Sequence, residues 1–476
     1  MTHSPTAPDA PVLASPVKVE ADRVDEPKAA VRPGAPAVGG PKAHPRMEAV
    51  VVSPFLPGPG DEDRRRGFYV LEMLRDAGFT TRLVALCAAD QDHADIANLT
   101  EHVDHLHAFH RSGEAWVHGA WGWLTGESFA AGAARHTEAV AVLASALPRA
   151  KVVVALGAAG HAMVEQAMAP SRPPGFYLID LNEPAAAAGH GPGQDERSRI
   201  GAWAAGAELR AVERAERIAA DAADLVLVAS EPDIRTLGAK RRAPIWAVGN
   251  GFDPRDTPEH GYLAGLAPRI AYCGDVRVPH HARSALWLAR VVMPQVRKTV
   301  PDAALVIAQR GKPKGGGARV FESESVVPFA MKDATPYEAL VETCVAGACP
   351  QRYVRGCVSH ALQVMAAGRP LVTTSPLTRL LPSDTASAVA VADKAKAMAD
   401  ALRRLLDHRE EAEQAGLKAC RAAHDGATWV AQWRRVGGLL RRVADGREVH
   451  AASDSDPGAR LRRLEGRTSE ISRMAS

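Results

Sequence analysis

At 476 residues, 46% hydrophobic and 24% charged, the chain has room for two folded domains and the composition of an ordinary soluble protein. Its 58 Lys and Arg against 55 Asp and Glu leave a formal charge of +3, which argues against a general nucleic-acid binder. No apolar run approaches the ~20 residues of a membrane span. The six cysteines include no CxxC pair, so they read as free thiols of a reducing compartment.

Residues 1–46 hold nine prolines and no aromatic residue, too little apolar area to offset ordering, and read as a disordered tail. They contain no signal-peptide core, so a cytoplasmic location is expected. Order is expected from Met47: a strand at 48–53, a Gly/Pro-rich loop at 54–60 (PFLPGPG), and a helix at 64–76 with Phe68, Leu71 and Leu74 on its apolar side. With the next strand at 80–86, this opens a doubly wound α/β domain, in which ligands sit beyond the C-terminal strand ends. The loop is not GxGxxG, which argues against a dinucleotide site.

Residues 91–110 carry five histidines: His93, His102, His105, His107 and His110. Alternation over 103–109 puts Val103, His105 and His107 on one strand face, and no acidic partner motif accompanies them. They are expected to be solvated, and no metal site is assigned. The segment 116–129 (WVHGAWGWLTGESF) reads as a core helix, the alternative being an apolar lip on a ligand cleft. Apolar runs at 151–156 and 175–180 are buried strands. The second ends in Asp180-Leu-Asn-Glu183, where carboxylates serve either a ligand or a helix cap. A long helix at 200–223 and a strand at 224–230 follow. Then 244–253 (PIWAVGNGFD) forms a strand and an Asn-Gly turn.

The α/β alternation restarts after this turn, with strands at 269–274 and 304–308 around a helix at 282–300. The loop 311–317 (GKPKGGG) lacks the Walker spacing and reads as exposed. Next, 355–375 (RGCVSHALQVMAAGRPLVTTS) reads as loop, helix, Gly368-Arg369-Pro370 turn and strand. A helix N-terminus beside a loop and feeding a strand suits a nucleotide diphosphate, because its unpaired N–H groups point at the anion. Helices at 394–406 and 427–443 complete the folded part, and the polar stretch 447–476 reads as a second disordered tail.

LQVMAAGRPLV at 362–372 resembles the "EAMAxGxPVV" donor signature of GT-B glycosyltransferases of the family-4 type, with Gln363 where that family has glutamate. AVGNGFD at 247–253 is similar to their "V-x-x-I-P-N-G-V-D", and Asp224, Ser230 and Glu231 fall on "DxxxxVSExE". The 54–65 loop and Arg355-Gly356 resemble the exopolysaccharide-associated sugar transferases, which have Asn, Lys and Glu where this chain has Ser359, His360 and Gln363.

The resemblance implies an α/β, GT-B architecture of two Rossmann-like domains facing across a cleft: an acceptor domain at 47–250, a donor domain at 251–425, and a helix at 426–446 packing back on the first. It implies a retaining, metal-independent transferase moving sugar from a nucleotide-sugar donor to a glycan or lipid-linked acceptor in surface-polysaccharide synthesis. The nucleotide sugar is a substrate, and no cofactor is expected. Gly274, Arg277, Arg310, Arg355, Gly356, Ser359, His360 and Gln363 would serve the donor, and Asp61 and Asp180 the acceptor chemistry. A lipid-linked acceptor would require peripheral contact with the inner face of a membrane. The alternative expectation is a catalytically degenerate GT-B domain that acts as a binding or scaffold protein.

Overall fold

The computed structural model describes residues 47–446, except 59–61, 88–92, 112–113, 185–198, 238–242, 255–262, 264, 310, 312–315, 332–336 and 352–357. The apolar runs of the first half become seven parallel strands: β1 (Glu48–Ser53), β2 (Thr80–Cys87), β3 (His105–His110), β4 (Val152–Leu156), β5 (Phe176–Asn182), β6 (Leu225–Val228) and β7 (Ile245–Ala247). Their order is β3-β2-β1-β4-β5-β6-β7. Pleating sends Ala49 and Val51 into one apolar layer and Val50 and Val52 into the other, so the sheet is covered on both faces.

The second sheet is also parallel: β8 (Arg269–Tyr272), β9 (Ala304–Gln309), β10 (Val326–Ala330), β11 (Ala346–Cys349), β12 (Leu371–Thr373) and β13 (Ala390–Val391), in the order β10-β9-β8-β11-β12-β13. Each sheet has one switch point where the chain stops building outward on one side and begins on the other. These lie between β1 and β4 and between β8 and β11. In doubly wound sheets ligands bind beyond the strand ends at such points.

One expected helix is interrupted. Between β8 and β9 the chain forms Pro279–Trp287, a π-helical turn at Leu288–Val292, and Met293–Val296. Pro294 has no N–H to give to the preceding turn, which the wider spacing accommodates.

The last helix, Trp429–Ala444, returns to the first domain, where Trp429, Trp433, Val436, Leu439 and Leu440 join the core beneath the sheet. The two strands of chain that link the domains run side by side. Phe252 bridges Thr428, the Phe252 N–H donates to Ala427 O at 3.3 Å, and the Trp429 N–H donates to Phe252 O at 3.3 Å. Gly249 N–H also donates to Gln432 Oε1 at 3.2 Å.

The helix Glu114–Leu124 departs from the expectation of a core helix. Its buried residues are Gly119 and Gly122, whereas Trp116, Trp121 and Leu124 are exposed. The histidine-bearing segment makes ordinary pairings: His102, before β3, has Nδ1 2.8 Å from Glu72, and His107 on β3 has Nε2 2.8 Å from Arg82. Among the described residues no three His, Cys, Asp or Glu side chains gather as metal ligands. The five described cysteines are buried and form no disulfide.

Candidate functional site

The crevice of the second domain is built at the ends of β8, β11 and β12. Gly274 follows β8 with φ 153°, and a Cβ there would lie 3.1 Å from both Gln351 Nε2 and the Tyr272 hydroxyl. Gln351, just past β11, donates to Cys273 O at 3.1 Å, and the Thr374 hydroxyl past β12 donates to Gln351 O. These bonds lock the three strand ends together, and glycine at 274 lets Gln351 and Tyr272 close in on the backbone there.

The helix Ser359–Ala366 carries the expected donor residues. Ala361, Leu362, Val364, Met365 and Ala366 are all buried. Ser359, His360 and Gln363, at i, i+1 and i+4, form its half-exposed face. Val358 at its N-cap provides no side-chain hydrogen bond, so the first amides are not capped in that way.

His360 sits edge-on to Tyr337 with ring centroids 4.6 Å apart, and the Tyr337 hydroxyl donates to Tyr272 O at 2.7 Å. This places His360 on the Gly274 side of the crevice. Arg277 is not turned freely into it: its Nε donates to Asp275 Oδ2 at 2.8 Å. Burial pushes the Asp275 carboxyl up, but the Arg277 hydrogen bonds and charge more than offset this and hold it low. Arg310, Arg355 and Gly356 lie outside the described residues, as does Asp61.

Behind this face His281 accepts the Asp275 N–H at Nδ1, 3.2 Å away. Burial, with the neighbouring His280 and His360 charges, holds its pKa down to about 4. Burial does the same for His161, which lies in the first domain with Nδ1 2.8 Å from the Tyr177 hydroxyl. The unfolded chain, with histidines near 6.5, binds more protons than the fold between about 6.5 and 4. Stability therefore falls as pH drops through that window. Each histidine is expected to contribute about 2 kcal/mol to the loss between pH 7 and pH 5. Urea unfolding at the two pH values should show His281→Asn losing less than wild type by about that amount.

In the first domain a cavity of about 270 Å³ opens at the β1/β4 switch point, lined by Phe55, Arg66, Leu156, Asp180, Asn182 and Glu183 among others. Asn182 closes β5 with φ 53°, left-handed backbone beside the cavity it helps to line. Asp180 is present, but not as a free carboxylate. Arg66 Nε donates to its Oδ2 at 2.7 Å and Nη2 to its Oδ1 at 2.8 Å, with both side chains buried. Arg66 Nη1 also reaches Val248 O and Asn250 Oδ1, each at 2.8 Å, and its guanidinium lies 4.9 Å from the Trp433 ring centre. Asp180 thus anchors the cavity wall to the domain linker. Sequence reasoning did not single out Arg66; in a run of three arginines only tertiary burial distinguishes one.

Residues 267–408 match the family model described as "Glycosyl transferases group 1". No curated protein matches the chain. Among solved structures, the chain is similar to sucrose-phosphate synthase from Thermosynechococcus elongatus, with 14% identity, TM-score 0.56, and 84% of this chain and 100% of that one covered. HepE of Anabaena in complex with UDP and glucose gives 11% identity, TM-score 0.54 and coverage of 83% and 99%. WaaG, a glycosyltransferase involved in lipopolysaccharide biosynthesis, gives 11%, 0.52, and 83% and 99%. The fold is GT-B. In GT-B terms, the described crevice and cavity stand at the strand ends of the C- and N-terminal domains respectively.

Proposed function

We propose that the protein is a glycosyltransferase that takes a nucleotide-sugar donor in the second-domain crevice and an acceptor at the first-domain cavity. The observation that carries this is the face of the helix Ser359–Ala366: in an otherwise buried helix, the half-exposed side chains are Ser359, His360 and Gln363. The group 1 match over the same domain and the UDP bound by HepE support a nucleotide diphosphate there.

Transfer requires that charge developing on the leaving diphosphate be met by donors already in place. The first amides of this helix, the backbone at Gly274 and the His360 imidazole are proposed to supply these donors, with Arg310 and Arg355 adding charge. Gln363 would accept a ribose hydroxyl. The acceptor is proposed to be a glycan or lipid-linked sugar of a surface polysaccharide, entering past Glu183 and Asn182. The reaction is proposed to be retaining and to need no metal.

A neutral amide holds a hydroxyl less strongly than a carboxylate by about 1 kcal/mol. Gln363→Glu is therefore expected to tighten binding of the preferred nucleotide sugar roughly fivefold. The experiment is a transfer and hydrolysis assay over UDP-, GDP- and ADP-sugars with both proteins. Turnover of one donor class, at lower KM in Gln363→Glu, supports the reading. The alternative is a binding protein on the same fold, favoured by the engagement of both Asp180 oxygens with Arg66. It predicts saturable binding without turnover by either protein.

A further inference from the structure

The helix Glu114–Leu124 packs by its smallest residues. A Cβ on Gly119 would lie 2.8 Å from the Phe129 ring, and one on Gly122 would lie 3.1 Å from Gly132 Cα. Its large residues point the other way: Trp116 is 70% exposed, Trp121 63% and Leu124 71%. Trp203, in the early turns of the helix Arg199–Ala222, is 63% exposed, and Trp123 joins the two helices by meeting it edge-on at 6.0 Å.

Three indoles exposed to about two-thirds leave on the order of 300–500 Å² of apolar area, and Leu124 and Val117 add to it. One side of a standard protein interface buries about 800 Å², of which roughly 450–520 Å² is apolar. The patch is the size of the apolar part of one such side. A contact of that size between two copies is enough for a stable dimer.

The charges around the patch cancel, but they are laid out with a direction. Arg217 stands 3.6 Å from Glu213 and Arg135 2.7 Å from Glu127, so these four neutralise one another within the chain. Arg210 and Arg214 are exposed on the same side of their helix as Trp203. Arg214 Nη2 donates to Gly126 O at 2.8 Å, just past Leu124. Asp221 follows on the same stripe about 10 Å further out, beyond the patch. Glu114 is exposed at the opposite end of the tryptophan helix, about 15 Å from Leu124. Arg111, before it, donates from Nη2 to Pro54 O and is committed to the loop after β1. The face thus runs from an acidic end at Glu114, across the indoles, to a basic end at Arg210 and Arg214.

A two-fold axis through the indoles reverses this order in the second copy. It lays indoles on indoles and brings Glu114 of each copy opposite Arg210 and Arg214 of the other. A surface of one sign, lipid or protein, has no such match, because it meets Glu114 and the arginines together. We infer that two copies of this chain pair through this face, with the indoles at its centre and Glu114 meeting Arg210 and Arg214 across the axis. The inference rests on exposed side chains of the first domain and stands whether or not the crevice takes a nucleotide sugar.

Sedimentation velocity of the intact chain over a hundredfold range of concentration tests it. Wild type is expected to reach twice the chain mass. Trp116→Ser/Trp121→Ser/Leu124→Ser should dimerise at least tenfold more weakly. Glu114→Arg makes both ends basic and Arg210→Glu/Arg214→Glu makes both acidic, so each alone should also lose at least tenfold. Mixed in equal amounts, these two charge variants should pair again, since every end then meets its opposite. Circular dichroism should be unchanged in all, since the side chains are outside the core. Wild type that stays monomeric throughout, a triple serine variant as dimeric as wild type, or charge variants that fail to restore each other on mixing would each overturn the inference. Flotation of a monomeric wild type with phospholipid vesicles would overturn it too and assign the face to a bilayer.

Discussion

Asp180→Ala is expected to lower the unfolding midpoint by roughly 10 °C, a loss of about 3–5 kcal/mol. Removing one partner of a buried ion pair leaves the other charge without compensation, and Arg66 is fully enclosed. The effect should spread beyond the cavity, because the same guanidinium holds Val248 and Asn250 at the domain linker and lies against Trp433 of the last helix. Arg66→Met/Asp180→Leu should recover part of the loss, since no uncompensated charge remains. Differential scanning calorimetry of the two single variants and the double gives the coupling. An Asp180→Ala protein as stable as wild type but inactive would instead mark Asp180 as a reacting group with no structural duty.

Gly251→Val is expected to be nearly as damaging, at about 3 kcal/mol or more. A Cβ at Gly251 would sit 2.3 Å from Trp429 N and 2.6 Å from Thr428 C, backbone atoms that cannot swing aside. The contact lies where the two linking segments run together through the Phe252 and Thr428 bridge. Relief would require separating them, which also breaks the Phe252 and Trp429 backbone hydrogen bonds. Limited proteolysis should then cut the variant between its domains at protease levels that leave wild type intact. Equal resistance would show that the lacing is not needed to hold the segments.

Much of this fold is legible in the chain because its signals are local. The apolar runs such as Val50–Val52 and Leu225–Val228 are fully buried. The turn at Asn250-Gly251 stands at the linker, and the exposed face at Ser359, His360 and Gln363 follows from helical spacing within one element. What escaped depends on partners distant in sequence. Asp180 reads as a carboxylate at a strand end, and its partner is 114 residues away in a run of arginines. The segment around Trp121 reads as a core helix because its apolar content is high. Only the glycine contacts with Phe129 and Gly132 show that its small side faces inward. The π-helical turn at Leu288–Val292 is likewise invisible to a periodicity of 3.6.

Calorimetric titration of the intact chain with UDP, GDP and ADP tests the proposed donor site most directly. Saturable binding of one nucleotide, lost in Gly274→Val, whose Cβ would crowd Tyr272 and Gln351 at 3.1 Å and displace the strand ends, is the expected result. No heat with any of the three, or binding unchanged by Gly274→Val, would contradict a nucleotide-sugar site at the ends of β8 and β11.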